Sequence, residues 1–266
     1  MITKISAIAA LMTAAGAASA DTININIENT LGDGGFFFTP VWVAAHNGGF
    51  DSYDGGSLAS DFPGITSLAE NGATGQISAA FAGSAAGIAG GVDGTVAATS
   101  QDAPVFSPGE SASFSLDVGD ATVNRYFSYA SMLVPSNDLF FANGNPLAIE
   151  LFDAGGNFLG PRVIEIYGSD LNDNGTEVNS ATNDAAFSTN DGQALPESEV
   201  IRNFFTQTGD QAYLDSFIGS TTPNGATITN SFGSGDLIAR ITVTPTPGTA
   251  GLLAMGGLIA ARRRRA

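Results

Sequence analysis

"TININIE", residues 22–28, sets Ile23, Ile25 and Ile27 against Asn24, Asn26 and Glu28. Apolar side chains at every second position share one face of a strand, whereas a helix would scatter them around its circumference. A half-buried β-strand therefore opens the folded part of the chain. Working outward, "SASFSLDV" (111–118) and "RYFSYASMLV" (125–134) alternate in the same way and are expected to be neighbours. "FTPVWVAAH" (38–46) is apolar without interruption, which predicts a strand covered on both faces. "LAIELFD" (147–153) and "PRVIEIYG" (161–168) flank the turn-rich "AGGNFLG", as a hairpin would. "DLIARITVT" (236–244) closes the series before Pro245.

Helical signals are sparse. "GITSLAENG" (64–72) reads as a helical turn closed by Gly72, and "PESEVIRNFF" (196–205) has Pro196 where a helix would start. Residues 73–104, rich in Ala, Gly and Ser, read as short strands with flexible connections. No repeat of fixed period occurs, which argues against a propeller or solenoid. Short strands separated by Gly, Asn, Asp and Ser turns predict an all-β fold: a single antiparallel β-sandwich with short helical turns, spanning residues 21–244.

Both ends read as processing signals. Residues 1–20 carry Lys4, an apolar stretch and Ala18-Ser19-Ala20, the pattern of a secretory signal peptide. Residues 245–266 carry Pro245-Thr246-Pro247, 14 uncharged residues from Gly248 to Ala261, and Arg262 to Arg265. About 20 apolar residues cross a bilayer comfortably, so this segment is short, and its arginines are expected to stay cytoplasmic. The tail resembles a PEP-CTERM-type sorting signal, which implies an exosortase-type processing enzyme as a partner and transient anchorage in the inner membrane. A plain C-terminal anchor is the other reading. The expected destination is outside the cell, at its surface or in the extracellular matrix.

Five of the nine basic residues fall in these two ends, leaving Arg125, Arg162, Arg202 and Arg240 against 26 carboxylates. A body so acidic repels nucleic acid and anionic lipid, so contact with a membrane is expected only through the C-terminal segment. The chain has no cysteine, which excludes thiol catalysis and zinc–thiolate sites, and its one histidine, His46, excludes a multi-histidine metal centre. No nucleophile elbow and no phosphate-cradling loop is present. Trp42, within an apolar strand, reads as core; His46, at the end of that strand, as a hydrogen-bonded structural histidine.

"DLNDNGTEVN" (170–179) gathers Asp170, Asp173 and Glu177 with Asn172, Asn174, Thr176 and Asn179 around Gly175. Its start matches an EF-hand loop, but the twelfth position, 181, is Ala rather than Glu. An upstream turn, "SMLVPSNDLFFANGNP" (131–146), places Asp138 after a strand end, with Phe140 and Phe141 to anchor its base. Loops at one end of a sandwich bring distant segments together. Either water screens these carboxylates on ordinary turns, which favour Asp and Asn for backbone reasons, or a hard cation sits among their oxygens.

"FTPVWVAAHNGGFDSYDGGSLAS", "LAENG", "SMLVPSND" and "DNGTEVN" together resemble the spondin N-terminal domain family over roughly residues 22–244. The resemblance implies a C2-like sandwich, a bound calcium ion with ligands at Asp138, Asp173 and Glu177, and a partner that is an extracellular matrix or surface protein or glycan. Glu177 stands where Asp is usual in the family, and Asn174 where Ala is usual. The resulting expectation is an exported, non-enzymatic, calcium-binding protein of adhesion or biofilm matrix. Two other readings stay open: a secreted carboxylate-dependent polysaccharide hydrolase and a non-catalytic carbohydrate-binding module.

Overall fold

The computed structural model describes residues 22–99, 103–189 and 192–246. The expected signal peptide and the apolar, Arg-terminated part of the tail lie outside the described residues. Eleven strands occur among the described residues: β1 (Thr22–Asn29), β2 (Phe37–Phe38), β3 (Val41–His46), β4 (Val92–Val96), β5 (Ser111–Asp117), β6 (Tyr126–Val134), β7 (Leu139–Ala142), β8 (Arg162–Tyr167), β9 (Leu171–Asp173), β10 (Arg202–Asn203) and β11 (Leu237–Pro245). Four short α-helices accompany them among the described residues, α1 (Ile65–Asn71), α2 (Gly75–Gly83), α3 (Ala85–Ile88) and α4 (Asp210–Asp215), with single 3-10 turns at Ala59–Asp61, Gly168–Asp170 and Phe204–Thr206.

The strands form two antiparallel sheets packed face to face. One has the order β5-β1-β11-β8; the other runs β10-β9-β7-β6-β3-β4, with β2 beside the end of β6. In β1 the alternation is realised as read: Ile23, Ile25 and Ile27 are fully buried, and the residues between them are partly exposed. Each buried isoleucine contributes about 1.5–3 kcal/mol of hydrophobic stabilisation. They share one core with Ile241 of the neighbouring β11 and, across the sandwich, with Val43, Phe127, Phe141 and Leu171.

The second sheet is covered on its outer side as well. Trp42 and Ala44, on the face of β3 turned away from β1, pack with Ile65 and Leu68 of α1 and with Ile77 and Phe81 of α2. All six residues of β3 are buried, as the unbroken apolar run predicts. Trp42 lies in this outer cluster with its indole N–H donating to Asp93 at 2.8 Å. Helix α1 ends at Gly72, whose φ of +64° supplies the left-handed cap.

Four expectations are corrected. Residues 75–83 and 85–88 are helical rather than strand-like. Alanine is a strong helix former, and Ile77 and Phe81, four apart, are two anchors that dock α2 on the sheet. Strands β5 and β6 are not paired: β5 pairs with β1, whereas β6 lies in the other sheet. The chain does turn back at "AGGNFLG", with Phe152 bridged antiparallel to Phe158, but residues 161–168 do not pair with 147–153. Asp153 folds that tight turn by accepting the N–H groups of Gly155 and Asn157, and β8 pairs with β11 instead. Residues 196–201 are extended, not helical, because the N–H groups of Glu197 and Glu199 donate to the carbonyls of Thr176 and Gly175. The helix comes later, at α4, after Gly209 with a φ of +110°.

Candidate functional site: a buried carboxylate beneath the 170s loop

Strand β6 stops before Pro135, which has no N–H to extend the ladder. The next three residues, Ser136, Asn137 and Asp138, are all buried, an unusual place for a polar loop. Each is tied down. The Ser136 hydroxyl donates to the Leu133 carbonyl at 2.5 Å and accepts the Leu139 N–H at 3.2 Å. The Asn137 carboxamide oxygen accepts the Ser180 N–H and the Tyr213 hydroxyl, both at 2.8 Å. These contacts hold the turn against the segment that follows β9.

Asp138 meets that segment directly. Its Oδ2 accepts the N–H groups of Thr176 at 2.9 Å and Glu177 at 3.1 Å, and the Thr176 hydroxyl at 3.2 Å. Its other oxygen, Oδ1, is buried and has no hydrogen-bond partner. A carboxylate oxygen in that position carries a large desolvation cost. Burial, and then the nearby charge of Asp173, hold the Asp138 carboxyl far above the usual carboxylate range.

Asp173 sits at the end of β9, opposite Leu139 of β7 and Arg202 of β10. Its Oδ1 accepts the Gly175 N–H at 2.9 Å; its Oδ2 accepts Arg202 Nη2 and the Asn179 amide, both at 2.6 Å. Arg202 is in turn gripped by Asp210 at the start of α4, Nη1 to Oδ2 and Nη2 to Oδ1, both at 3.0 Å. Asp173 and Asp210 are both buried. A cavity of about 480 Å³ opens beside this group, lined by Asp173, Asn179, Glu197, Glu199, Arg202 and Asp210 among others.

Of the three expected ligands, Asp138 and Asp173 are brought within electrostatic reach of each other. Glu177 contributes its backbone N–H to Asp138, while its half-buried carboxyl is raised to about 7 by burial, then by Glu70 and Asp184. Among the described residues no three acidic or histidine side chains are grouped so as to hold a metal by themselves. Carboxamide oxygens add to the set. Asn174 Oδ1 and Asn179 Oδ1 are buried and unpartnered like Asp138 Oδ1. The Asn174 amide donates to the Thr176 hydroxyl that also bonds Asp138, and the Asn179 amide donates to Asp173. Buried, unsatisfied oxygens from carboxylate and carboxamide are the donors that a hard cation takes.

Arg202 and Asp210 belong to this buried group although no motif in the sequence marks them. The one available signal was scarcity, since Arg202 is among only four cations between residues 21 and 244. His46 is fully buried, bonded to Ser128 at 2.8 Å and to the Gly48 N–H at 2.9 Å, in keeping with a structural role. Comparison with protein-family models and with curated proteins returns no match for this chain.

Proposed function

We propose that this protein is an exported, non-enzymatic β-sandwich that binds a calcium ion between the Asp138 turn and the 170s loop. It acts at the cell surface or in the extracellular matrix, in adhesion or biofilm structure. The resemblance to spondin N-terminal domains and the two terminal signals motivate the setting. The observation that carries the binding is the buried, unpartnered Oδ1 of Asp138. Asp138 and Asp173, with the carboxamide oxygens of Asn174 and Asn179, would hold the ion, and Glu177 borders the loop. Bound there, a divalent cation neutralises carboxylates that otherwise repel one another. The loop is thereby clamped to the strand end, and binding to the native state adds stability by mass action.

Thermal melting in chelator and in millimolar calcium, with metal analysis of the purified protein, tests the proposal. A calcium-dependent rise in the midpoint is expected; an unchanged midpoint with no bound metal rejects it. A second reading draws on the neighbouring cavity, where Glu197, Glu199, Arg202 and Gln207 offer hydrogen-bonding groups to a sugar. Binding on a glycan array favours a carbohydrate-binding module, and release of reducing sugar favours a carboxylate-dependent hydrolase.

A further inference from the structure

The arrangement around Arg202 bears on the charge that a cation would meet. Arg202 lies across the β10–β9 ladder from Asp173 and donates to it at 2.6 Å. A guanidinium so placed would ordinarily cancel the carboxylate and leave little attraction for a metal. Here the same guanidinium is engaged in a two-pronged pair with Asp210, itself buried at the start of α4. Two carboxylates share one cation, so the trio keeps one negative charge. Asp138, when ionised, supplies a second. Glu197 and Glu199 lie further out towards water, where their fields are screened, and the half-buried carboxyl of Glu177 bonds to Asn137.

We infer that Asp210 is a positioning residue for the cation site. It neutralises Arg202, so that Asp173 is held in place by the guanidinium yet remains anionic towards the ion. With Asp138 ionised, the charge of Asp138 and the trio together amounts to two, matched to one divalent cation. Asp210 needs no contact with the metal to do this; it acts through Arg202. The inference rests on the calcium reading above and adds a residue 37 positions beyond Asp173 in the chain.

Calcium titrations of the purified protein, followed by the melting midpoint and by calorimetry, provide the test, with stability in chelator recorded alongside. Asp210→Asn leaves Arg202 to cancel Asp173 and is expected to weaken calcium binding about tenfold, the scale of one unit charge acting on a divalent ion through a partly buried path. The double variant Arg202→Gln/Asp210→Asn restores the charge balance and is expected to recover affinity to within about threefold. Arg202→Gln alone leaves Asp210 unpaired and is expected to bind at least as tightly as the parent. A purely structural role for Asp210 predicts the opposite order, with the double variant the weakest. Wild-type affinity in Asp210→Asn, or no recovery in the double variant, overturns the inference while leaving the calcium reading intact. No calcium response in the parent protein defeats the calcium reading itself. If Asp210→Asn alone does not fold, the comparison of the double variant with the parent decides, since the charge account requires affinity within about threefold of the parent and a purely structural role predicts a larger loss.

Discussion

Thr176 donates its backbone N–H at 2.9 Å to the carboxylate of Asp138, 38 residues earlier in the chain. With the Glu177 N–H beside it, this bond fastens the 170s loop to the end of β6. Asp138→Ala strands both amides in a buried setting, and the expected loss is about 2–4 kcal/mol, read from urea denaturation in chelator. Asp138→Asn keeps an oxygen facing the amides and removes the charge, so its loss in chelator is expected to stay within about 1 kcal/mol. Under the proposed function neither variant gains stability on adding calcium. A calcium-dependent midpoint retained in Asp138→Asn would remove Asp138 from the ligand set.

Gly175 holds the centre of that loop with a φ of +67°, a conformation that side chains with a Cβ rarely adopt. A Cβ there would also lie 2.7 Å from the Glu199 carbonyl oxygen, which belongs to backbone and has little freedom to yield. Gly175→Ala is therefore expected to cost more than the ordinary glycine strain of about 1 kcal/mol. It should also loosen the pairing of residues 175–178 with 195–199. Hydrogen exchange at the Glu197 and Glu199 amides measures that pairing, and unchanged protection would show that the loop accommodates the methyl group.

The parts of the molecule that could be read from sequence are those whose cause is local. Ile23, Ile25 and Ile27 announce a strand because burial of one face imposes a period of two. The run around Trp42 announces a strand covered on both sides for the same reason. Helix α2 was hidden because only Ile77 and Phe81 anchor it, and the small residues around them, Ser78, Ala79 and Ala80 among them, carry no periodic signal. The extended course of 196–201 was hidden because its cause is a tertiary partner: the carbonyls of Gly175 and Thr176 outweigh the helix-start pattern at Pro196. At the site, the meeting of the Asp138 turn with the 170s loop was legible from two oxygen-rich turns. The pairing of Arg202 with Asp173 and Asp210 was not, since nothing local records which acid a lone arginine will reach.

Trp42, the only tryptophan of the chain, lies in the cluster between the large sheet and the helices, with its ring 5.6 Å from that of Phe81. Phe81 also packs edge-on to Phe50 at 5.3 Å. Phe81→Ala opens a void among fully buried side chains and is expected to cost about 3–5 kcal/mol. Because α2 is held by few anchors, the loss should appear first as local release of the helix. Tryptophan emission then reports it, shifting to the red and becoming accessible to quencher before the sandwich unfolds. Coincident transitions by tryptophan emission and circular dichroism would show that α2 and the sheets melt as one unit.

His46 gives the fold a defined weakness on the acid side. Its Nδ1 accepts the Gly48 N–H at 2.9 Å, which leaves Nε2 to carry the proton and donate to the Ser128 hydroxyl at 2.8 Å. A second proton would break the first of these bonds and place a charge in a buried site. Burial accordingly lowers the ring from 6.5 to about 4. The unfolded chain takes up its proton near pH 6.5, whereas the folded chain does so only near pH 4. Between these values the unfolded state binds more protons, so stability falls with falling pH by about 1.4 kcal/mol per unit. Above the upper value this contribution is complete. His46→Gln has no titrating ring and escapes the loss, although it forfeits part of the hydrogen bonding at every pH. Urea denaturation of both proteins at pH 7.5 and pH 5 is expected to show the parent losing about 2 kcal/mol more than the variant across that interval. An equal change in the two proteins would mean that the folded site accepts the imidazolium, and that the ring is not confined to its neutral form.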